Sequence, residues 1–430
     1  MGSLRIDEDY ENTMDTSTPV LVLRSAHHGA LAIARSLGRL GVSVYLMDAN
    51  PRTPSFYSRY CRGKFVWDID QAPAEETVDY LGRIGCKLGG RIILIPTSDT
   101  VALFVADHAD ALRHWFIFPD LCSQLLRSLY SKREMHFLAK GAGVPTPEAR
   151  FPASKQEVLS FAEGATFPVM LKVIEARQAN HLAARTNVIA RGKQELLDHY
   201  EMMEDRERPN LMLQEYIPGG EEANWMFNGY FNASSECLFG LTGRKIRQNP
   251  PYAGITSLGV CLPNATVAET TNRFMKSIRY RGILDIGYRY DARDGLHKVF
   301  DVNPRIGCTF RLFVSDNGMD VARALYLDLT GQPIVAGSEL PGRKWMVEDM
   351  DLASAFQYWR DGKLSIGGWR RSFRGLRECA FFAADDRRPI ISMCMKDLRE
   401  LFRRLRRAHG TRLSHDQRLL SQLVRRAAKS

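Results

Sequence analysis

The residues with the clearest chemical potential lie in the segment HKVFDVNPRIG at 297–307. The pattern predicts a strand, and the two-residue period of a strand places Asp301 and Asn303 on one face. A carboxylate and an amide oxygen so placed suit Mg²⁺, a hard cation that prefers oxygen ligands. Arg305 follows directly, and its guanidinium suits a transferring phosphoryl group or a carboxylate. A strand that ends in an Asx turn is the alternative interpretation.

A second carboxylate can reach this strand through a hairpin. The segment GILDIGYRYDARDGL at 282–296 is typical of a strand, a turn at DARDG and a returning strand. This hairpin would bring Asp285 beside the strand of Asp301, as a further ligand on the metal side. The alternative is that Asp285 is only a charged residue on an edge strand.

Two lysines suit a phosphate-bearing ligand. Lys172 lies in FPVMLKVI, an otherwise apolar strand, where a buried ammonium is tolerable only beside an anion. Lys132 begins a predicted helix, close to where phosphate would meet N-terminal amides. A solvated surface lysine is the alternative, and it is stronger for Lys132 than for Lys172.

The segment LMLQEYIPGGEE at 211–222 is predicted to be a strand that runs into a Pro-Gly-Gly turn. An extended hinge of this kind can offer a backbone carbonyl and amide to the edge of an adenine. Glu222, just after the glycines, could then accept hydrogen bonds from ribose hydroxyls. A strand, a turn and a solvated acid are the alternative interpretation.

The elements that must position these residues follow two patterns. In the N-terminal third, apolar strands such as 20–24 and 91–96 alternate with helices, which predicts a parallel α/β sheet. Ligands of such sheets lie at the carboxyl ends of strands, here near His27, His28 and Asp99. A dinucleotide-binding domain is the rival interpretation, but the turn SAHHGA lacks the glycines of GxGxxG.

After about residue 130 the pattern changes to α+β, with mixed strands separated by helices. We therefore predict four parts, in chain order: a disordered leader 1–18, a parallel α/β domain 19–130, an α+β domain 131–335 and a C-terminal extension 336–430.

These segments, in this order, resemble the ATP-grasp superfamily over roughly residues 19–335. The matching motifs are SK at 131–132, PVMLK at 168–172, QEYIPGGEE at 214–222 and DVNPR at 301–305. Within the superfamily the chain is most similar to carboxylate–amine ligases related to D-aspartate ligase. The segments that carry this similarity include RKIRQNPPYAGITSLG, DIGYRYDARDGLHKVFDVNPR and DMDLASAFQYWRDGKLSIGGW. The resemblance implies a parallel pre-ATP-grasp domain followed by a two-lobed ATP-grasp domain.

The resemblance also implies a role for each matching residue. Lys132 and Lys172 would hold the phosphates of ATP, and Glu222 would bind its ribose. Arg305 would grip the γ-phosphate or an acyl phosphate, with Arg247 in RKIRQ as a second candidate. The adenine would meet the segment Gln214, Glu215, Tyr216 and Ile217. Its contacts would come from the backbone of Glu215 and Ile217.

For the metal, the resemblance implies that Asp301 and Asn303 bind Mg²⁺. Asp301 stands where relatives usually have Glu, and Gly287 stands at the usual position of the upstream metal ligand. Asp285, two residues earlier on the same face, is the candidate replacement. The loop EARQANHLAARTN also lacks the glycines with which many relatives cover the phosphates.

The implied activity is ATP-dependent amide formation, with ATP and Mg²⁺ as cofactors. The carboxylate of a small, amino-acid-like substrate would be activated as an acyl phosphate, and an amine would then displace phosphate. No covalent protein nucleophile is required. An ATP-grasp carboxylase or purine-pathway-like enzyme is one alternative, and a non-catalytic nucleotide-binding protein is the other.

Charge and composition restrict the partners. Residues 396–430 hold eleven Lys/Arg and three Asp/Glu, so this tail carries +8 of the net charge of +10. Nucleic acid is not expected, because no aromatic residues are interleaved with these charges. Three features suggest the cytoplasm. The cysteines are scattered without CxxC pairs, the N-terminus is unlike a secretory signal, and there is no long apolar run. A homodimer is left open.

The beginning of this tail predicts an amphipathic helix. Leu398, Leu401, Phe402 and Leu405 follow the spacing i, i+3, i+4, i+7. Packing of this stripe on the body of the protein is the favoured interpretation. Contact with an anionic membrane surface is the alternative.

Overall fold

A computed structural model of the chain describes residues 14–174, 187–205, 207–252, 254–400 and 402–403. Within these residues the strands form three sheets, of five, four and seven strands.

The first sheet is parallel and is built from the N-terminal third. Its strands are β1 (Val20–Leu23), β2 (Val44–Asp48), β3 (Cys61–Val66), β4 (Ile92–Pro96) and β5 (Phe116–Ile117). They lie in the order β3–β2–β1–β4–β5. The helices of this part are α1 (His28–Gly38), α2 (Ala74–Leu88), α3 (Asp99–Asp107) and α4 (Ala109–Leu112). The sequence of β1 is VLVL, and all four residues are buried, as a central strand covered on both faces requires.

The second sheet is small and antiparallel. Two helices, α5 (Ser123–Tyr130) and α6 (Lys132–Gly141), precede it. Its strands are β6 (Ala149–Arg150), β7 (Val169–Val173), β8 (Asn187–Ala190) and β9 (Leu211–Glu215), in the order β6–β9–β7–β8. Helices α7 (Lys155–Gly164) and α8 (Lys193–Met203) cover one face. Val169, Leu171 and Val173 pack under these helices, so Lys172 lies on the other face.

The third sheet has seven strands. They are β10 (Asn224–Phe231), β11 (Cys237–Asn249), β12 (Ile255–Cys261), β13 (Gly282–Asp291), β14 (Leu296–Asn303), β15 (Lys344–Met346) and β16 (Leu376–Cys379). Their order is β14–β13–β10–β11–β12–β15–β16, antiparallel except between the last two. Helix α9 (Ala265–Ser277) packs on one face, while α10 (Val321–Leu329) and α1 pack on the other. The predicted parallel α/β part and the α+β part that follows are both confirmed.

The C-terminal part is tied to the rest of the protein. It contains α11 (Glu348–Arg360), α12 (Ile366–Ser372) and a helix α13 described over 388–400. The guanidinium of Arg35 donates to Asp386 at 3.0 Å and to the carbonyls of Ala380 and Phe381, and both charged side chains are buried. Strands β15 and β16 extend the sheet of residues 224–303, while the predicted boundary at 335 stays a prediction.

Two sequence predictions need correction here. The leader was expected to be disordered to residue 18, but the Tyr326 hydroxyl donates to the carbonyls of Asp15 and Thr18, and Gln332 also bonds Asp15. Residues 1–13 lie outside the described part.

The stripe of the C-terminal helix was expected to pack on the body, but Leu398 and Phe402 are 54% and 56% exposed. Leu401, Leu405 and the rest of the tail lie outside the described part.

In the part of the chain that the structure describes, none of the helices combines the length and apolar character that crossing a membrane requires.

Candidate active site

Oxygen-bearing side chains form a row across three strands of the seven-stranded sheet. Asn228 on β10 lies opposite Asp285 on β13, and Asp285 lies opposite Asn303 on β14. Asp301 precedes Asn303 by two residues, and the Asn303 amide donates to the Asp301 carboxylate at 2.9 Å. The predicted hairpin is therefore confirmed, and it brings Asp285 beside the strand of Asp301 and Asn303.

The Asp285 carboxyl is held where ionisation is costly. Burial raises its pKa to about 6, and this outweighs the opposing effect of Arg305; the nearby Asp301 raises the pKa further. The backbone also crowds it, since a Cβ on Gly307 would lie 2.3 Å from an Asp285 oxygen. The Asn228 amide favours the ionised form of Asp285. Yet Asn228 is fully buried, and neither of its amide atoms has a hydrogen-bond partner in the described residues.

This donor set fits Mg²⁺. Asp285 and Asp301 are two neighbouring carboxylates, and burial keeps the pKa of Asp285 raised although Arg305 and Lys245 lie near. Carboxylate and amide oxygens are the ligands that Mg²⁺ prefers. No cluster of three or more His, Cys, Asp or Glu side chains able to hold a metal occurs among the described residues. A cation here would therefore depend on two carboxylates and an amide: Asp285, Asp301 and Asn303.

A bulge places an aromatic ring beside Gly287. The pairing of β13 with β14 shifts between Gly287 and Tyr288, which leaves Phe300 as an extra residue on β14. A Cβ at position 287 would lie 3.1 Å from the Phe300 ring, so a longer side chain would collide with it. The Phe300 ring therefore borders Gly287, while Asp301 lies directly opposite it and Asp285 lies two residues earlier on the same face of β13.

Both predicted phosphate lysines face this row. Lys172 is 8% exposed, and burial lowers its pKa to about 8, as does the neighbouring Lys132, against the attraction of Asp301. The Lys172 ammonium lies 6.0 Å from the centre of the Phe300 ring, and no ion-pair partner is found for it in the described residues. Lys132 begins α6, as predicted, and its ammonium donates to the Val173 carbonyl at 2.7 Å. Burial lowers its pKa as well.

The Arg247 side chain binds a carboxylate outside the row, which corrects its predicted role as a second cation at the phosphate. Its guanidinium forms a bidentate pair with Asp351 at 2.8 and 2.9 Å, and it also donates to Ser372. A bulge in β11 causes this: Lys245 pairs with Gly259 while Arg247 already pairs with Leu258, so the two cations face opposite sides.

Lys245, in contrast, lies near the carboxylates of the row. Burial lowers its pKa, and the charges that oppose this include Asp301 and Asp285. The ammonium donates to the side chain of Gln248 at 3.0 Å and to the Gly254 carbonyl at 3.2 Å. The segment RKIRQ contains both Lys245 and Arg247. The bulge in β11 determines which of the two faces the carboxylates.

Arg305 joins the metal side to the N-terminal sheet. Its guanidinium donates to Asn303 at 3.3 Å and forms an ion pair with Asp99, which begins α3. Burial disfavours its charge, but the pair with Asp99 raises the pKa of Arg305 overall. The carboxyl ends of the parallel strands thus meet the end of β14.

His27 and Cys308 lie at the same junction. The His27 ring accepts from the Gly29 amide at 3.1 Å and donates to the Thr97 carbonyl at 3.1 Å, and its Nδ1 is 3.4 Å from the Cys308 sulfur. Burial lowers the pKa of His27 to about 4 and raises that of Cys308 to about 11. Both groups are therefore neutral at pH 7, so this pair supplies no thiolate nucleophile. His28 is buried beside Trp345 and faces the core.

The predicted adenine segment is anchored to the hairpin turn. The Glu215 carboxylate accepts from Arg293 at 2.5 Å and Lys298 at 3.3 Å, and its amide donates to the Glu148 carbonyl. Arg289 donates to the Ile217 carbonyl at 2.8 Å. No acceptor within the described residues takes the Ile217 amide. Gln214 is buried at the end of β9, and Tyr216 is half-buried beyond it.

The Pro-Gly-Gly turn places its two acids differently. Glu222 is exposed and accepts from the Gly220 amide at 3.0 Å within its own turn. Glu221, which the sequence did not single out, accepts from Asn224 at 3.4 Å, from Tyr358 and from Gln248. The role of Glu222 at a ribose stays a prediction. The predicted loop over the phosphates, 175–186, lies outside the described residues.

A cavity of about 1000 Å³ lies near this hinge but on the other face of the small sheet. It is lined by Val169 and Leu213 together with Phe161 of α7 and Arg293. Since Lys172 points from the opposite face of β7, this cavity is separate from the cleft that holds the lysines.

We expect Asp285→Asn to raise the Mg²⁺ concentration needed for half-maximal turnover by about tenfold, the range for a weakened metal shell. Asn keeps the size of the side chain and loses its charge. Glu236→Gln, which removes an exposed carboxylate from the β10–β11 turn, is the control. An unchanged Mg²⁺ dependence in Asp285→Asn would return Asp285 to a structural role.

The same variant has a pH signature in metal-free protein. The folded-state pKa of Asp285, about 6, is above its value in an unfolded chain. Its ionisation therefore destabilises the protein above pH 6, and the penalty is relieved as pH falls from about 6 to 4. In EDTA, Asp285→Asn should melt higher than wild type at pH 8 and equally at pH 4. Equal melting temperatures at both pH values would contradict this.

Lys245→Met and Arg247→Met distinguish the roles of these two cations of RKIRQ. We expect Lys245→Met to lower kcat/KM by about 100-fold, because it removes a charge near the metal-side carboxylates. Its melting temperature should not fall, because burial already disfavours the Lys245 charge. Arg247→Met should instead lower the melting temperature, because it leaves the buried Asp351 unpaired. The reverse pattern would restore Arg247 to the site.

Comparison with known proteins agrees with this geometry. No protein-family model matches the chain. A D-aspartate ligase of Enterococcus faecium is 25% identical over 329 residues, which cover 73% of this chain and 77% of that ligase.

Solved structures show the same fold. An N5-carboxyaminoimidazole synthetase from Staphylococcus aureus aligns with a TM-score of 0.60 at 13% identity, over 77% of this chain and 82% of that one. An L-amino acid ligase from Bacillus licheniformis aligns with a TM-score of 0.57 at 13% identity, over 77% and 79%. The predicted resemblance to ATP-grasp ligases and the predicted fold are thereby confirmed.

Proposed function

We propose that this chain is an ATP- and Mg²⁺-dependent ligase that joins a small carboxylate to an amine through an acyl phosphate. The observation that carries the proposal is the strand register that gathers Asp285, Asp301 and Asn303 on one face. Lys172, Lys245 and Arg305 provide cations around this face, on an ATP-grasp fold. The similarity to ligases that form carbon–nitrogen bonds supports the reaction class.

Each group has a place in phosphoryl transfer. Bound Mg²⁺ would offset charge on the phosphates, held by Asp301, Asn303 and Asp285. Lys132 and Lys172 hold the phosphates from the small sheet. The substrate carboxylate attacks the γ-phosphorus, ADP leaves, and the neutral amine then attacks the acyl carbon and expels phosphate. A cation facing the transferred group stabilises both steps, and Arg305 and Lys245 serve this purpose.

The adenine end is assigned to the hinge. The Ile217 amide, which has no acceptor in the described residues, can donate to a ring nitrogen, while Arg289, Arg293 and Lys298 fix the segment against the large sheet. This end is bordered by Gln214, Glu215 and Tyr216. Glu222 can bind the ribose if its carboxylate releases the hydrogen bond within its own turn.

Substrates are proposed to bind where the two domains meet. His27, Asp99 and Cys308 border this junction beside Arg305. An acid and an arginine side by side suit the ammonium and carboxylate of an amino acid. The partners are then small molecules in the cytoplasm, without nucleic acid, and a homodimer is compatible with the proposal.

The test is ADP and phosphate release by purified protein with Mg-ATP and pairs of amino acids. We expect release that requires one carboxylate and one amine together, with a stoichiometric amide product by mass spectrometry. Release that requires bicarbonate instead would identify a carboxylase, the alternative that the similarity to the carboxyaminoimidazole synthetase favours. ATP binding without turnover on any pair would identify a nucleotide-binding protein.

A further inference from the structure

Helix α13 has a second apolar face that points away from the protein. Its inner side packs on the core through Met393, which lies in the cluster of Trp345. On the other side, four apolar side chains recur at i, i+4, i+7 and i+11 and are 49–59% exposed: Ile391, Met395, Leu398 and Phe402. Successive helical residues are about 100° apart, so these four form one stripe on the side away from Met393. We call them the outer stripe.

Basic side chains border this stripe on one side. Lys396, Arg399 and Arg403 each follow a stripe residue directly, so all three lie about 100° round the helix from it, and all are exposed. Arg388 lies on the same border, one turn before Ile391. The acids of the helix, Asp397 and Glu400, leave the helix on the far side, although the Glu400 carboxylate reaches Arg403 at 3.0 Å. The arrangement is that of a helix that lies in a membrane interface, with apolar residues inward and cations at headgroup level.

The chain that follows adds charge of the same sign. Residues 404–430 contain eight Lys/Arg and one acid, a net charge of +7. Association of two copies through the outer stripe would bring two such segments together, and their repulsion opposes it. An anionic surface is instead attracted by each basic residue near it.

A second exposed apolar stripe, on α11, has fewer cations beside it. Leu352 and Phe356 of α11 are 62% and 59% exposed at i, i+4 spacing. The residues that follow them directly are Ala353 and Gln357, and the one cation on that side is Arg360, a turn after Phe356. The two stripes thus match in exposure and differ in the number of cations beside them.

We propose that the outer stripe of α13 and its basic border bind the surface of an anionic lipid membrane, with the helix parallel to the surface. The outer stripe enters the interface, and Arg388, Lys396, Arg399 and Arg403 meet the headgroups. This surface function is independent of the proposed ligase activity, because it rests on none of the ATP-site residues.

The test is sedimentation of full-length protein with vesicles. Vesicles of phosphatidylglycerol and phosphatidylcholine should bind the protein, pure phosphatidylcholine should bind it far less, and 0.5 M NaCl should release it. Leu398→Ser with Phe402→Ser should weaken binding by about tenfold or more. Lys396→Ser with Arg399→Ser should weaken it by about 30-fold. The matched control, Leu352→Ser with Phe356→Ser, should bind as wild type does.

All three double variants alter exposed side chains, so their melting temperatures should equal that of wild type. No binding to anionic vesicles would overturn the proposal. So would full binding by the Leu398/Phe402 variant, which would indicate adhesion by charge alone. A dimer in light scattering that only this variant abolishes would assign the stripe to a second copy. Displacement from the vesicles by RNA, with equal RNA binding by wild type and stripe variant, would indicate a nucleic-acid surface.

Discussion

Asp301→Asn should lower turnover of Mg-ATP by about 1,000-fold or more and leave the fold intact. That loss corresponds to about 4 kcal/mol of transition-state stabilisation, in the range that a catalytic metal supplies. The Asp301 side chain is exposed near the end of β14 and lies outside the core. The melting temperature of the variant should therefore change little. Phosphate release under saturating substrate measures the effect.

The comparison with Asp285→Asn makes this test sharper. If both carboxylates bind one cation, high Mg²⁺ should restore Asp285→Asn and fail to restore Asp301→Asn, in which the hydrogen bond from Asn303 also loses its charged acceptor. Glu236→Gln should behave as wild type in the same assay. Wild-type phosphate release by Asp301→Asn would end the assignment of this strand to the metal.

Local patterns in the sequence were sufficient to predict the hairpin and its face. DARDG between two strands fixes the turn, and the period of two then brings Asp285 to Asp301 and Asn303 without any long-range information. The buried Lys172 was predictable for the same reason, because one cation in an apolar strand has few explanations.

The irregular parts of the strands could not be predicted. One extra residue on β11 reverses the faces of Lys245 and Arg247, and the extra Phe300 on β14 fills the space beside Gly287. A period-two pattern contains no information about where a bulge occurs. The pair of Arg305 with Asp99 joins residues 206 positions apart, and only the packing of the two domains brings them together.

Lys172→Met should weaken ATP binding by about 100-fold and at the same time stabilise the nucleotide-free protein. The ammonium has no ion-pair partner in the described residues, and its loss removes charge-assisted hydrogen bonds to phosphate, about 2.7 kcal/mol. Lys132→Met should lose less, because the Lys132 ammonium already bonds the Val173 carbonyl and is less buried. Isothermal titration with ATP and Mg²⁺ measures both.

The stability gain follows from the pKa. Burial holds the pKa of Lys172 at about 8, below that of an unfolded chain, so its charge destabilises the folded state below pH 8. This penalty, about 3 kcal/mol at pH 7, fades as pH rises from 8 to 10.5. Lys172→Met should therefore melt higher than wild type at pH 7, and the difference should shrink at pH 10.

Lys298 offers the matched control. It is 7% exposed, against 8% for Lys172, but Asp291 and Asp294 bind its ammonium at 2.7 and 2.8 Å and help to raise its pKa despite burial. Lys298→Met should therefore destabilise the protein, because buried Asp291 loses a partner. Stability changes of opposite sign in these two buried lysines would distinguish a lysine that serves to bind an anionic ligand from one that stabilises the fold. A loss of stability in both variants, with unchanged ATP affinity in Lys172→Met, would make Lys172 a structural residue.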